Sequence, residues 1–234
     1  MSNKKNLRLQ RDGTIINITS KRQEKALSQA LVSVCKNLDT KFPGIKLRHQ
    51  AEWLLSEVIA NLKTAFTDID FHHFHKSSSM RPDGGILTIV AKDGAMYPIL
   101  IAEKKNQGTN DLRASEGKPK QAKGNAIERL GKNVIGFRAA LLQESIFPFV
   151  CFGDGCDFAD DSSILDRVVT IAMFGRLNTE QLHNQGPHGI FNRGTFYFRV
   201  KEWTEKEMQT ICTAIAIKSV HYYYSKYGEK AFSM

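Results

Sequence analysis

The sequence predicts an α/β protein in which helices flank a mixed central β-sheet. Apolar residues recur at helical spacing near both ends of the chain, and they alternate with a period of two in the middle. Strand-like and helical segments then follow one another, which is typical of a mixed sheet covered by helices. The length fits a single domain over 1–234, with a mainly helical part at 1–76, a core at 77–152 and C-terminal strands with a closing helix at 153–234.

The first half of the chain predicts two helices and then a β-hairpin. Apolar groups at helical spacing predict amphipathic helices over 20–38 and over 47–66. The runs "GILTIV" and "YPILIA" are rich in β-branched residues, which indicates two strands. Between them lies Asp93-Gly94, a dipeptide that is typical of a tight hairpin turn.

The second half predicts a helix, three strands and a closing helix. The helix lies in "GNAIERLGKNVIGFRAALLQES", and its apolar stripe consists of Ile127, Leu130, Val134, Ile135 and Phe137. Strands are predicted for "FPFVCFG", "RVVTIAMFG" and "TFYFRVKEW". The closing helix begins after Thr204, which forms the pattern of a capping box with Glu207.

Composition narrows the class of protein. The net charge of +9 and a pI near 9.4 favour a polyanionic partner, most commonly nucleic acid, although a basic protein without such a partner stays open. No apolar run approaches the roughly 20 residues that span a bilayer, and the basic start of the chain lacks a signal-peptide pattern. We therefore expect a cytoplasmic protein with no membrane partner. The cysteines form no CxxC pair, so they are expected to be reduced thiols.

The stretch "RPDGGILTIVAKDGAMYPILIAEKK" carries the candidate chemistry. Successive strand side chains point to opposite faces, so Glu103 and Lys105 should share one face while Lys104 points away. A hairpin of this length returns Asp83 to the neighbourhood of Glu103. Two carboxylates suit Mg²⁺, and Lys105 could stabilise charge on a phosphate or act as a base. The pattern predicts a phosphodiesterase site; the alternative is a solvent-exposed strand end with a surface ion pair.

The segment "GNAIERLGKN" indicates how nucleic acid could be recognised. Asn125 and Ala126 lie at the start of the predicted helix, where side chains can reach bases or phosphates. Asn pairs naturally with adenine. Arg129 could donate to adenine N7 or to phosphate, and Glu128 could accept from an adenine amino group or pair with an Arg of a partner subunit. The alternative is an N-capping Asn on a helix with an ordinary charged face.

Four blocks in one order, "SSSMRPDGGI", "AEKKNQG", "GNAIER" with a following "KN", and "LQESIFPFV", resemble the EcoRI family of type II restriction endonucleases. The resemblance covers 77–152. It implies a PD-(D/E)xK nuclease fold, a homodimer, Mg²⁺ and double-stranded DNA with a palindromic AATT core, cut to leave 5′-phosphates and 5′ overhangs. A cognate DNA methyltransferase would act on the same site without direct contact.

The resemblance also implies roles for particular residues. Asp83, Glu103 and the backbone carbonyl of Lys104 would bind the metal, and Lys105 would be the catalytic lysine. Base recognition would fall to the residues at the start of the helix, which are Asn125, Ala126, Glu128 and Arg129. Contacts to the DNA backbone would come from Arg81 and from a basic arm over 108–123, shorter here than in the family's namesake, whose cations are Arg113, Lys118, Lys120 and Lys123.

One departure from the family concerns the outer base pair. A later Leu-Asn-Arg segment of the family supplies arginines that help to recognise the outer G, and Thr179 and Gln181 stand at those positions here, with Arg176 just before them. Because a bidentate Arg is the usual partner of G, we expect AATT or RAATTY rather than GAATTC. The rival hypotheses are a repair or recombination nuclease of the same fold and a non-catalytic DNA-binding protein.

Overall fold

The computed structural model of the chain describes the following residues, with the backbone alone for 16–20 and 125–126: 16–107, 117, 125–160, 162–187 and 189–232. The strands are β1 (Lys46–Gln50), β2 (Trp53–Leu54), β3 (Ser79–Met80), β4 (Gly85–Val90), β5 (Met96–Asn106), β6 (Phe149–Asp154) and β7 (Thr195–Arg199). The helices are α1 (Ile16–Lys41), α2 (Leu55–Ala65), α3 (Asn125–Ala140), α4 (Ser163–Ile171) and α5 (Glu205–Tyr227).

The central sheet is mixed, with the strand order β1-β4-β5-β6-β7. The pairs β1–β4 and β4–β5 are antiparallel, whereas β5–β6 and β6–β7 are parallel. Strands β2 and β3 form a separate two-stranded sheet. This arrangement confirms the predicted α/β class with a mixed central sheet between helices. Among the described helices, none is long and apolar enough to cross a membrane.

Each face of the central sheet is covered by its own helical layer. Alternation along β6 separates the two layers, because Val150 and Phe152 point to one side and Phe149 and Cys151 to the other. The first side packs against α1 and α5, and the second packs against α2, α3 and α4. The strand that supplies the candidate site, β5, therefore lies buried between two apolar layers.

Two predicted elements differ from the structure. The single helix expected over 47–66 is instead the edge strand β1, the short strand β2 and the helix α2. Antiparallel pairing with β4 gives Lys46–Gln50 a ladder of backbone hydrogen bonds, and this tertiary contact outweighs the local helical pattern. The strand expected for "RVVTIAMFG" is mostly the second part of α4 and the turn after it, because Ser162 caps a helix that buries Ile164 and Val168 on one side.

The remaining predicted elements are confirmed, with one change in the apolar stripe of α3. The hairpin β4–β5, the strands β6 and β7 and the helix α5 lie where the patterns indicated. The side chains of Thr204 and Glu207 form the expected capping box at the start of α5. On α3, Ile127, Leu130, Val134 and Phe137 are buried, but Ile135 is 68% exposed and so is not part of the core.

Candidate active site

The β4–β5 hairpin brings Asp83 to Glu103. The backbone N–H of Gly84 donates to the carbonyl of Ala102 at 2.9 Å, which fixes the register at this end of the hairpin. As a result the N–H of Asp83 donates to Oε2 of Glu103 at 3.0 Å, and the N–H of Lys104 donates to Oδ2 of Asp83 at 3.2 Å. The return of the aspartate that the sequence predicted is therefore observed.

Lys105 lies between the two carboxylates. Its Nζ donates to Oδ2 of Asp83 at 2.9 Å and to the backbone carbonyl of Lys104 at 3.1 Å, and it also donates to Oε1 of Glu103. Glu103 is almost fully buried, whereas the side chains of Lys105 and Asp83 keep 14% and 26% of their exposure. These values show that the charged cluster is mostly buried and that solvent reaches it at Asp83. The alternative of a solvent-exposed strand end with a surface ion pair does not describe this cluster.

Burial and charge act in opposite directions on the two inner residues of this cluster. Burial raises the pKa of Glu103; the ammonium of Lys105 opposes the shift and the carboxylate of Asp83 adds to it, so that the pKa stays above its ordinary value. Burial would lower the pKa of Lys105, but the carboxylates of Glu103 and Asp83 outweigh it and raise that pKa. The lysine is therefore a stable cation in the protein alone.

The donor atoms of the cluster fit a hard divalent cation. Carboxylate oxygens of Asp83 and Glu103 and the carbonyl of Lys104 already converge on one positive group, the ammonium of Lys105. In the described part of the chain, no group of three or more His, Cys, Asp or Glu side chains could bind a metal ion. A metal here would have two carboxylates and one carbonyl from the protein, and Mg²⁺ commonly takes its remaining ligands from water and substrate phosphate.

Lys104 contributes more than the backbone carbonyl that the sequence analysis assigned to it. Its side chain lies on the opposite face of the sheet, as expected, and there its Nζ forms a buried ion pair with Asp154. The side chains of both residues are at most 2% exposed. No sequence pattern pointed to Asp154, because its partner lies fifty positions earlier in the chain.

Glu24 is a second residue near the site that the sequence did not reveal. A Cβ on Gly84 would lie 2.9 Å from Cδ2 of Leu27, so glycine allows α1 to cross directly over the residue after Asp83. Glu24 precedes Leu27 by one helical turn. Although Glu24 is largely exposed, its partial desolvation raises its pKa and the carboxylate of Asp83 raises it further, against the charges of Lys105 and Lys21. Its carboxylate therefore adds to the negative field around Lys105.

The predicted DNA-binding residues are only partly within the described structure. Glu128 and Arg129 are exposed on the first turns of α3. Asn125 and Ala126 begin this helix, but their side chains lie outside the described residues, as do the arm cations Arg113, Lys118, Lys120 and Lys123. Arg81 is exposed and donates from Nη2 to Oε2 of Glu52 at 2.6 Å, so its charge is partly neutralised.

The candidates for recognition of the outer base pair share one groove. Arg176, Thr179 and Gln181 line a cavity of about 480 Å³ together with Arg193, which the sequence analysis did not consider. The loop that carries Arg176, Thr179 and Gln181 is fixed to β7 by Asn178, whose Oδ1 accepts from the N–H of Phe198 at 2.8 Å. The structure thus brings these three residues together and adds a second arginine beside them.

Comparison with known proteins shows the same relationship that the sequence blocks indicated. The family model described as restriction endonuclease EcoRI matches residues 10–164, well beyond the limits of the resemblance at 77–152. The type II restriction enzyme RsrI of Cereibacter sphaeroides is 26% identical over 241 residues, covering 88% of this chain and 87% of that protein. The type II restriction enzyme EcoRI of Escherichia coli is 30% identical over 156 residues, covering 63% of this chain and 56% of that protein. The chain therefore belongs to the EcoRI family of type II restriction endonucleases, which are site-specific deoxyribonucleases.

Proposed function

We propose that this protein cuts both strands of DNA at a palindromic site by Mg²⁺-dependent hydrolysis, with Asp83, Glu103 and Lys105 as its catalytic residues. The observation that carries the proposal is the convergence of both carboxylates and the Lys104 carbonyl on the Nζ of Lys105. Such a set of oxygens would hold Mg²⁺, and the ion would supply Lewis acidity at the phosphate and lower the pKa of bound water. The 5′-phosphate and 5′ overhangs follow from similarity to EcoRI.

The charge state of Lys105 favours one of its two predicted roles. In the protein without metal, the raised pKa of Lys105 means that its ammonium is retained between Glu103 and Asp83, so the lysine is not a base in that state. A fixed cation in a partly buried site stabilises negative charge as it develops on the phosphate oxygens. We therefore propose that Lys105 binds the scissile phosphate and does not remove the proton from the attacking water. In the protein without metal, Asp83 and Glu103 hold the ammonium of Lys105 in the site through their ion pairs with it.

We propose that α3 and the groove beside Arg176 recognise the DNA sequence. Glu128 and Arg129 project from the first turns of α3, which packs on the same sheet face that Glu103 and Lys105 occupy. Similarity to EcoRI supports an AATT core. Thr179 and Gln181 replace the arginines of the family, which supports AATT or RAATTY over GAATTC.

A homodimer completes the proposal. A palindromic site has two-fold symmetry, and a two-fold dimer would place one set of Asp83, Glu103 and Lys105 on each strand. The positive net charge supports binding to the DNA backbone, with Arg81 and the arm over 108–123 as the proposed contacts. A cognate methyltransferase would protect the same site without touching this protein.

The proposed function is tested by digestion of a plasmid of known sequence. With Mg²⁺ we expect double-strand cuts at AATT or RAATTY, with 5′ overhangs in the sequenced ends, and with EDTA we expect none. Cutting at GAATTC alone would contradict the predicted outer-base specificity. Specific binding with Mg²⁺ but without any cleavage would support the non-catalytic alternative, and cutting of branched DNA regardless of sequence would support the repair nuclease.

A further inference from the structure

The ion pair between Lys104 and Asp154 lies on the face of the sheet that has no part in the proposed chemistry. Lys104 points away from Glu103 and Lys105, towards the layer formed by α1 and α5. Burial lowers the pKa of Lys104, and the carboxylate of Asp154 opposes that shift. A buried charged pair gains little stability over apolar residues of the same size, so its presence calls for a reason other than stability.

Asp154 connects three parts of the fold at this point. It ends β6, directly beside Asn106 at the end of β5. Besides Lys104, it accepts from Nδ2 of Asn106 at 2.8 Å and from the backbone N–H of Trp203 at 3.0 Å. The indole N–H of Trp203 donates in turn to the carbonyl of Gly153 at 2.9 Å. The carboxylate therefore ties the ends of β5 and β6 to the segment that leads into α5.

The side chain of Lys104 binds Asp154, whereas the backbone of Lys104 lies within the candidate active site. Its N–H donates to Oδ2 of Asp83 at 3.2 Å, and its carbonyl accepts from Nζ of Lys105 at 3.1 Å. The side chain of one residue is thus fixed to a buried carboxylate, while its two backbone groups contact two of the three proposed catalytic residues. A small rotation of this peptide segment would move both contacts together.

We propose that Lys104 and Asp154 are positioning residues, which fix the backbone of β5 so that Asp83, the Lys104 carbonyl and Lys105 keep their mutual geometry. The inference rests on the proposed function of that site. When a catalytic group is displaced by about 1 Å or less, turnover falls far more than substrate binding does. The pair therefore acts on the chemical step and not on affinity for DNA.

The test uses the full-length double variant Lys104→Met/Asp154→Asn. Met matches the length of the lysine stem, and Asn retains an acceptor for the N–H of Trp203, so the buried charges disappear together and no single charge is left unpaired. The matched control is Val150→Ala, which removes buried volume on the same face of β6 without touching the pair. Circular dichroism is used to choose a temperature at which the parent, the double variant and Val150→Ala are all folded.

Two measurements are made on these proteins. In the double variant we expect kcat to fall about tenfold or more with KM for DNA within about twofold, whereas Val150→Ala keeps kcat. Hydrogen exchange without DNA or metal should show faster exchange of the Lys104 amide in the double variant, because its bond to Asp83 is loosened. This second measurement does not depend on activity, so it tests the inference even if the parent protein fails to cut DNA.

Either of two results would overturn the inference. One is a Lys104 amide that exchanges at the parent rate in the double variant, because the anchor would then have no effect on the backbone. The other is a kcat in the double variant that is no lower than in Val150→Ala. Failure of the parent protein to cleave DNA would instead count against the proposed function, and the exchange result would stand separately.

Discussion

At Glu103, the balance between burial and charge predicts how the site depends on pH. Its pKa is raised, so between its ordinary and its raised value the folded chain retains a proton that the unfolded chain has lost. The stability that this group contributes is therefore present at low pH and is lost as the pH rises through the raised pKa. Urea unfolding of the metal-free parent and of Glu103→Gln should show the parent losing stability relative to the variant as pH increases from acidic to neutral.

The same proton would compete with the proposed metal ion. Because a carboxyl group must be deprotonated to bind a cation, the Mg²⁺ concentration for half-maximal cleavage should rise as the pH falls towards the raised pKa of Glu103. Cleavage rates over a Mg²⁺ series at several pH values measure this shift. A midpoint that does not change with pH would contradict the assignment of Glu103 as a metal ligand.

Removal of either carboxylate separates cutting from binding. Asp83→Ala or Glu103→Ala should lower kcat by about 10³-fold or more, because each removes a proposed metal ligand and a partner of Lys105. Specific DNA binding should remain measurable by gel shift, since the proposed phosphate and base contacts lie elsewhere. Asp93→Asn at the far turn of the same hairpin is the matched control, and it should cut normally. A normal rate for either alanine variant would show that the metal assignment is wrong.

The residues of the candidate site were predictable to different degrees. A proline-aspartate pair, a hairpin turn and an E-x-K sequence are local patterns, and the period of two placed Glu103 and Lys105 on one face. The partners Asp154 and Glu24 were not predictable, because each reaches the site through tertiary packing of a distant element. Burial and its effect on pKa depend on the same packing.

At the scale of elements, the junction of β7 and α5 predicts a second pH effect. Arg199 forms a bidentate pair with Glu207, at 2.9 Å and 2.6 Å, and its Cζ lies 3.6 Å from the centre of the Trp203 ring. The hydrogen bonds from Arg199 and from the N–H of Thr204 lower the pKa of Glu207 to about 2. The contribution of Glu207 to stability is therefore present above its ordinary pKa of 4.5 and is lost as the pH falls towards about 2.

This effect can be measured with two neighbouring variants. Glu207→Gln should be less stable than the parent at neutral pH, and the difference should shrink as the pH falls through that window; because the pair is partly exposed, we expect a modest difference. Glu205→Gln removes a charge from the same helical turn without breaking the pair with Arg199. If both variants lost stability equally at every pH, the ion pair between Arg199 and Glu207 would not be the cause of the pH effect.

The elements also show where local patterns are insufficient. The β4–β5 hairpin and α5 carry their own signals, a turn dipeptide and a capping box, and both were predicted. The edge strand β1 carries no such signal, and it is a strand because β4 offers it hydrogen-bond partners. The helix cap of α4, Ser162, lies before the segment "RVVTIAMFG". That segment by itself therefore indicated the alternation of a strand and not the spacing of a helix.

At the scale of the molecule, the residues proposed for cutting and those proposed for recognition lie in the layer on one face of the sheet. Glu103 and Lys105 occupy the face of β5 on which α3 packs, and the loop that carries Arg176 follows α4 in the same layer. Both helical layers pack against the same sheet. We therefore propose that the chain forms a single cooperative domain.

The proposed homodimer predicts that each subunit cuts one strand. A mixed dimer of parent and Glu103→Ala subunits contains one complete set of catalytic residues, and two-fold symmetry assigns that set to a single strand of the palindrome. Differently tagged subunits can be co-expressed and the mixed dimer purified by both tags. On a supercoiled plasmid with one site, the mixed dimer should produce nicked circles, whereas the parent dimer should produce linear DNA. Linear product from the mixed dimer at the parent rate would contradict the assignment of one strand to each subunit, and a 26.4 kDa monomer that cuts both strands would contradict the dimer itself.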